Sequence, residues 1–231
     1  MYVPATLASA GALAPIEISA STTPPLHVPA HTSLSVIRTE LNVLEGHTTS
    51  VTGKLITNAH GLEGGDAVSA EQSVDDAATL PGREVLLQAL GSHGWRTLAH
   101  TRTGAKGRFR LRFVPLQTAS EQVRLRFAGD AEDLGAHRRL GRLNVYRLAE
   151  ASWYSGGGEL ACGGELTSAT MGVANKTLPC GTEVTLRYDG RSVRVSVIDR
   201  GPYVAGREFD LTEATKQALG FGGVGEVWST R

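Results

Sequence analysis

The segment VRVSVIDRGPYVAGREFDL, residues 193–211, joins a strong strand signal to an acidic side chain. Val193, Val195 and Val197 alternate with polar residues, which predicts a β-strand with one apolar face. A Gly-Pro pair follows and ends the strand, because proline has no backbone N–H to donate. Asp199 is therefore held at the end of a rigid strand, where a ligand can reach its carboxylate. The alternative to a functional role is that Asp199 is a turn residue, or that Arg200 neutralises its charge.

Further motifs surround this segment in a defined order. They are Ala151-Ser152-Trp153-Tyr154, Ala161-Cys162-Gly163, GVANKTLPCGT at 172–182, Asp199-Arg200-Gly201-Pro202-Tyr203, Gly206-Arg207, Asp210-Leu211-Thr212 and Leu219-Gly220-Phe221. Together they resemble the double-psi β-barrel domain of the rare lipoprotein A family, within the barwin and expansin superfamily. The resemblance implies such a barrel over residues 149–231. The pattern at 211–219 predicts one short helix, capped by Asp210 or Thr212 and ended by Gly220.

Residues 41–148 predict a second all-β domain. Phe109, Leu111 and Phe113 alternate with arginines, and residues 123–127 repeat that pattern. Short strands separated by turn residues favour an immunoglobulin-like β-sandwich, joined to the barrel by a short hinge at 148–151. The outward arginines form a basic stripe. A solvated sheet face is its ordinary interpretation, and docking on anionic wall polymers is the alternative.

Two segments fit neither domain. Residues 1–40 combine a stretch resembling the end of a signal peptide with a Pro-, Ser- and Thr-rich linker, which we expect to lie outside the folded domains. Residues 56–81 are acidic, rich in glycine and too long for an ordinary hairpin loop, so a mobile insertion is expected. Their acids do not fall at the spacing of an EF-hand, and we predict neither a metal nor a cofactor.

The overall charge narrows the range of partners. The 231 residues contain 23 Lys and Arg and 23 Asp and Glu, so bulk charge does not attract nucleic acid. The longest apolar runs are far shorter than the roughly 20 residues of a transmembrane helix. We expect a monomer with no nucleic-acid partner and no stable membrane span.

The resemblance also bears on the two cysteines, Cys162 and Cys180. Such a pair is expected to form a disulfide in an exported protein, whereas two buried thiols are the alternative in a cytosolic one. Because the resemblance implies an extracytoplasmic protein, we favour the disulfide and a secreted location in the cell wall.

For activity, the resemblance implies a glycan ligand and lytic transglycosylase chemistry on peptidoglycan. Such an enzyme cleaves between N-acetylmuramic acid and N-acetylglucosamine without water. A carboxylic acid protonates the leaving oxygen, and the carboxylate then takes a proton from the attacking 6-hydroxyl of the sugar. By motif match this residue is Asp199. A general acid must hold a proton near neutral pH, which an ordinary carboxyl group seldom does.

The sequence departs from the family pattern at two polar positions. The transglycosylases carry a Glu directly after the Ala-x-Gly turn and a His before Lys-Thr-Leu-Pro, where this chain has Gly164 and Asn175. Glu165 substitutes for the missing acid only if the loop shifts by one residue. Asn175 can hydrogen-bond a sugar or orient Asp199, but it cannot titrate.

The remaining candidates are aromatic and charged residues near the motifs. Tyr154 and Tyr203 adjoin turns and are candidates for stacking on sugars, whereas Trp153 and Trp228 lie in predicted strands and are expected in the core. Arg200 joins the substrate-binding candidates. Arg207 and Asp210 resemble a structural pair that fixes the loop after Pro202.

Three interpretations follow. The first is a secreted lytic transglycosylase that uses Asp199, and the second is a non-catalytic, expansin-like module that binds or loosens the wall. A secreted inhibitor or interaction domain on the same barrel is the third. The departures at Gly164 and Asn175 favour the second in mechanism, whereas the family resemblance favours the first.

Overall fold

A computed structural model describes residues 28–57 and 78–231, and the described part contains fifteen strands and one α-helix. The strands of the N-terminal half are β1 (Thr32–Thr39), β2 (Asn42–Leu44), β3 (Thr49–Thr57), β4 (Glu84–Gly91), β5 (Gly94–Arg102), β6 (Arg108–Phe113), β7 (Ala119–Phe127) and β8 (Ala136–Tyr154). The C-terminal half contains β9 (Gly158–Glu159), β10 (Glu165–Leu166), β11 (Val173–Asn175), β12 (Glu183–Tyr188), β13 (Arg191–Asp199), β14 (Phe209–Thr212), α1 (Glu213–Leu219) and β15 (Gly225–Ser229). The predicted all-β class is confirmed. Within the described ranges, no helix has the length and apolar character that a membrane crossing requires.

The N-terminal domain is a sandwich of two sheets around one core. One sheet has the strand order β1-β3-β6, and the other runs β2-β8-β7-β4-β5. The alternation in β6 and β7 has the expected result, because Phe109, Leu111 and Leu125 are buried while the arginines between them point outward. The two-sheet arrangement fits the predicted sandwich, and its immunoglobulin-like classification stays a prediction.

Two boundaries differ from the sequence-based expectation. Residues 32–39 were expected in the linker, but they form β1, which pairs with β3 and places Leu34 in the core. The expected hinge at 148–151 is wrong, because β8 runs through it without a break. Residues 1–27 and most of the predicted acidic insertion, 58–77, lie outside the described residues.

The long strand β8 connects the two domains, since its first half pairs with β7 and its second half with β14 and β15. Side chains reinforce this junction. Tyr146 packs against Trp228 with ring centroids 5.7 Å apart, and Arg147 forms a two-pronged ion pair with Glu208. Trp228 is only half-buried, so its predicted core position is wrong.

Six strands close the C-terminal domain into a barrel. Each strand pairs with the next in the cycle β8-β15-β12-β13-β11-β14, and β14 returns to β8. The pairs β11–β13 and β14–β8 are parallel, and the other four are antiparallel. A second apolar core fills the interior, with Val197, Phe209 and Leu211 fully buried. The barrel and its short helix agree with the sequence-based prediction.

The helix α1 ends where the sequence predicts, but it begins at Glu213, because Leu211 and Thr212, expected in the helix, belong to β14; of the two predicted caps, Thr212 is the one used. The side chain of Thr212 accepts a hydrogen bond from the Thr215 backbone N–H, which satisfies one of the free donors of the first turn. Gly220 ends the helix in the left-handed conformation, at φ 71°.

Candidate functional site

A change of strand register determines where the Asp199 side chain points. Val173 in β11 pairs with Val197 in β13, but the next residue, Ala174, pairs with Asp199 and skips Ile198. Val197 faces the barrel core, so uninterrupted alternation would direct Asp199 inward as well. The extra residue moves Asp199 to the outer surface, as β-bulges often do.

Asp199 shares a rung of the barrel with other polar side chains. Ala174 pairs with Asp199 on one side and with Asp210 on the other, and Asp210 in turn pairs with Ser152 in β8. Directly paired residues present their side chains to the same face of a sheet. Two half-buried carboxylates and the buried Ser152 hydroxyl group therefore lie along one line on the outer face of the barrel wall.

The Asp199 carboxylate is held by two backbone donors. Its Oδ1 atom accepts hydrogen bonds from the N–H of Ala161 at 2.9 Å and from the N–H of Arg200 at 2.8 Å. Its Oδ2 atom accepts none from the described residues. One oxygen is thus fixed by two backbone donors, and the other has no backbone donor.

Asp210 has an unusual environment. Burial raises the pKa of its carboxyl group; the hydrogen bond from Ser152 and the charge of Arg207 lower the pKa, and the charge of Asp199 raises it. The Ser152 Oγ donates to Asp210 Oδ1 at 2.8 Å. The predicted Arg207–Asp210 contact is thus electrostatic, and no ion pair within 4.0 Å joins the two among the described residues.

Tyr154 approaches the two carboxylates from β8. Its hydroxyl oxygen is buried and lies close to the Asp199 carboxylate, but no hydrogen bond of normal geometry joins it to the described residues. Burial raises the pKa of Tyr154, and the charge and hydrogen-bonding capacity of Asp199, followed by the charge of Asp210, raise it further. The hydroxyl group therefore stays protonated and can donate to an anion or to a ligand oxygen.

The Arg200 side chain points toward the loop that follows β11. Its Nη1 donates to the backbone oxygens of Asn175 and Leu178 at 3.0 and 2.9 Å, and its Nη2 lies 3.0 Å from Cys180 Sγ. These contacts engage the guanidinium within the protein. The geometry gives Arg200 a positioning role, although the sequence placed it among the substrate-binding candidates.

The predicted disulfide joins Cys162 to Cys180, with 5.6 Å between the Cα atoms. It connects the segment that carries the Ala161 donor to the loop that the Arg200 side chain contacts. Ala161 immediately precedes Cys162, and the Arg200 side chain contacts Cys180. The disulfide therefore fastens together the loops that hold the carboxylate.

Asn175 is buried and serves the backbone around it. Its Nδ2 donates to the Glu208 oxygen at 3.1 Å, and its Oδ1 accepts from the N–H groups of Thr177 and Leu178 at 3.0 and 2.8 Å. An amide with these three bonds has little capacity left for a sugar. Its geometry favours a structural role over the predicted contact with substrate.

The loop that lacks the expected glutamate is a tight turn next to Asp199. The Gly164 oxygen accepts from Leu160 N at 2.9 Å, and Gly164 itself has φ 84°, which favours glycine. Glu165 is exposed in β10, opposite Glu159. It forms no side-chain hydrogen bond with the described residues, and no contact brings it to Asp199.

The aromatic candidates lie at the surface. Tyr203 is 83% exposed, just after the turn at 201–202. Trp153 is 36% exposed, and the Lys216 ammonium lies 3.9 Å from its ring centre, so its predicted core position is wrong. Both rings are accessible to a sugar.

Sequence reasoning missed the Ala161 N–H, the Ser152 hydroxyl and the position of Asp210 beside Asp199. The register of β11 brings the two acids together, and strand register cannot be read from a sequence motif.

A cavity of about 490 Å³ lies away from this site, on the sandwich beside Phe113 and Leu116.

An acidic cluster in the sandwich, by contrast, is already engaged within the protein. Arg83 forms ion pairs with all three of its members, Asp130, Glu132 and Asp133.

The barrel residues of this chain are similar to those of known proteins. Residues 148–228 match a family model described as "Lytic transglycolase". Over 131 residues, 48% of this chain and 40% of the relative, the chain is 37% identical to the "Probable endolytic peptidoglycan transglycosylase RlpA" of Synechocystis sp.. Over 80 residues, 32% of this chain and 35% of the relative, it is 44% identical to a protein of the same name from Aquifex aeolicus. The chain therefore spans less than half the length of either relative.

One solved structure, Streptomyces papain inhibitor, matches 36% of this chain and 91% of its own at 26% identity, with a TM-score of 0.31.

Proposed function

We propose, from the premise that residues 148–228 form an RlpA-like double-psi β-barrel domain, that the protein acts on peptidoglycan glycan strands as a lytic transglycosylase. Asp199 is its acid and base. The observation that carries the proposal is the skipped residue in β13, which takes Asp199 out of the core and sets it beside Asp210 and Tyr154.

The proposed reaction uses the two oxygens of Asp199 differently. Oδ1 is occupied by two backbone N–H donors, so the mobile proton belongs on Oδ2. That proton passes to the glycosidic oxygen as the bond from C1 of N-acetylmuramic acid to N-acetylglucosamine breaks. The carboxylate then takes the proton of the 6-hydroxyl, whose oxygen closes on C1 and gives the 1,6-anhydro sugar. Proton and electron pairs balance without water.

The neighbours of Asp199 suit this role. A buried, protonated Tyr154 hydroxyl is a hydrogen-bond donor next to the reacting group, and Asp210 offers a second carboxyl group, the pKa of which burial raises. Tyr203 adds an exposed aromatic face for a sugar ring. The disulfide is consistent with the extracytoplasmic compartment in which peptidoglycan is found, and we place the protein in the cell wall.

A second candidate function is a non-catalytic module that binds or loosens the wall. Two observations favour it: Gly164 has no side chain where a glutamate is expected, and Asn175 is buried and bonded to the backbone. In this case Asp199, Tyr154 and Tyr203 bind a glycan without cleaving it.

The experiment compares wild type, Asp199→Asn and a matched control, Asp189→Asn. Asp189 lies in the turn between β12 and β13 at φ 43°, a conformation that asparagine also adopts readily. Intact and stem-peptide-free peptidoglycan are incubated with each protein, and anhydro-muropeptides are measured by mass spectrometry beside a sedimentation binding assay. If the protein is a transglycosylase, wild type and Asp189→Asn should form anhydro-muropeptides and Asp199→Asn should not. Binding by all three proteins without product supports the module, and neither binding nor product refutes both functions.

A further inference from the structure

We propose that the outer face of the sandwich carries an anion-binding site that holds the phosphate groups of a phosphodiester polymer of the cell wall. The site consists of Arg124, Arg126 and Arg139, called here the arginine cluster. It lies on β7 and β8, outside the barrel site, and it does not depend on the transglycosylase activity, although the choice of a wall polymer rests on the location proposed above.

The strand register brings the members of the arginine cluster together. Arg124 in β7 lies directly opposite Arg139 in β8, and Arg126 lies opposite His137. Val123, Leu125 and Phe127, which alternate with the two arginines of β7, are buried in the sandwich core, so the arginines face outward. Like charges at directly opposed positions destabilise a sheet. An arrangement of this kind favours a bound anion that relieves the repulsion.

Arg124 is held in place by contacts that leave its outer edge free. Its Nε donates to Gln88 Oε1 at 3.0 Å, and its guanidinium carbon lies 4.0 Å from the centre of the Trp95 ring. Gln88 is 6% exposed, and its own Nε2 lies 3.5 Å from Thr97 Oγ1, so the acceptor is itself fixed. The two Nη atoms of Arg124 donate no hydrogen bond to the described residues. A guanidinium held through Nε and one face presents those two donors to a ligand.

Within the part of the chain that the structure describes, no acid neutralises the arginine cluster. Two acidic side chains of this sheet have other partners: Glu84 lies 3.2 Å from the His100 ring, and Glu121 forms an ion pair with Arg96 at 2.6 Å. Burial lowers the pKa of Arg124, and the charges of Arg126 and Arg139 lower it further. The site thus concentrates positive charge that the protein leaves unpaired.

The spacing within the cluster indicates the chemistry of the ligand. Side chains two residues apart on a strand are about 7 Å apart, and directly opposed Cβ atoms are about 5 Å apart. Guanidinium groups bind phosphate oxygens in pairs, through two parallel hydrogen bonds. A ligand that satisfies three cations within this span must bring more than one negative charge, which a chain of phosphodiesters does and an isolated carboxylate does not.

The test measures binding of the full chain to labelled poly(glycerol phosphate) at low salt and at near-physiological salt. Arg124→Gln should weaken binding by about tenfold or more, which is typical of losing hydrogen bonds to a charged group. The matched control is Arg110→Gln, an exposed arginine in β6 with the same change of net charge, and it should alter binding less than about twofold. The double variant Arg126→Gln/Arg139→Gln, at two exposed positions, tests the site even if Arg124→Gln does not fold.

Three outcomes overturn the proposal. The first is equal weakening by Arg110→Gln and Arg124→Gln, because binding then follows net charge alone. The second is equally tight binding of poly-glutamate, which makes the ligand a carboxylate. The third is no binding of the phosphate polymer at either salt concentration. Asp199→Asn should bind the polymer as wild type does, so failure of the barrel activity and failure of this site can be told apart.

Discussion

Asp199 and Asp210 lie on one rung of the barrel, separated only by the strand that carries Ala174. Burial and then the charge of Asp199 raise the pKa of Asp210, against the opposing effects of Ser152 and Arg207. The charges of both carboxylates raise the pKa of the Tyr154 hydroxyl group. The two carboxylates and the Tyr154 hydroxyl group therefore lie within one local electrostatic field.

The first prediction concerns Asp210→Asn and pH. Because the folded-state pKa of Asp210 is raised, its contribution to stability is present below the unfolded-state pKa, near 4, and is lost as pH rises through the folded-state value. Asparagine stays neutral at every pH, so it keeps this contribution to stability as the pH rises, and its side-chain oxygen can still accept the hydrogen bond from Ser152. We expect the stability of Asp210→Asn relative to wild type to increase between pH 3 and pH 7, measured by urea unfolding at each pH. Asp189→Asn serves as the control, and an increase equal to that control contradicts the prediction.

A second prediction concerns the disulfide. Replacing Cys162 and Cys180 by serine should lower the free energy of unfolding by about 3 kcal/mol, the entropy effect of a loop of this size. Because both donors to Asp199 adjoin this link, product formation should fall further than the loss of folded protein explains. Denaturant unfolding and activity assays at matched folded fractions check the two parts. Full activity in the folded double variant would show that the link stabilises the barrel without positioning Asp199.

Arg200 provides the third prediction. Arg200→Gln removes three contacts to the loop 175–180 and should destabilise the barrel by about 1.5–3 kcal/mol, the range for hydrogen bonds to a charged group. Arg200→Lys should recover little of this, because one ammonium group cannot reproduce the planar fork. A positioning role predicts a fall in kcat with KM nearly unchanged. A rise in KM alone would instead indicate direct contact with substrate.

Much of the architecture could be predicted because it depends on local patterns. Alternation in residues 193–197 and 107–113 identified strands and their buried faces, and Gly220 located the C-terminal end of the helix. The predicted start at Leu211 was too early, because Leu211 and Thr212 pair with β8 as part of β14. The strand β1 was missed because its neighbours in sequence are rich in Pro, Ser and Thr, and only its pairing with β3 buries Leu34. Composition alone does not reveal such a tertiary contact.

The sequence indicated Asp199 as the central residue of the candidate site, and this role stays a prediction; the arrangement of its neighbours was not foreseen. Asp199 followed from the motif, but its orientation depends on the skipped Ile198, which strict alternation does not foresee. Asn175 and Arg200 are polar residues beside the motif, and their engagement with backbone groups becomes visible only in three dimensions. The packing of Ile198 over Gly172, where a Cβ would collide with it, is likewise a consequence of the folded barrel.

The last prediction restores the missing acid through Gly164→Glu. Gly164 lies in the turn that carries Ala161, and a Cβ there meets no atom within 4 Å, so the side chain has room. The matched control is Gly163→Glu, which is also exposed, with φ 93° and the same free space. Both variants should lose about 1–2 kcal/mol of stability, because a residue with a Cβ is strained in this conformation.

The two glycine variants should differ in yield. If the barrel is a transglycosylase weakened by the absent glutamate, only Gly164→Glu should increase the anhydro-muropeptide yield over wild type at equal folded fraction. Equal yields from the two variants would show that position 164 does not face the reacting sugar. No product from wild type or from either variant would favour a module that binds glycan through a surface lacking the second acid.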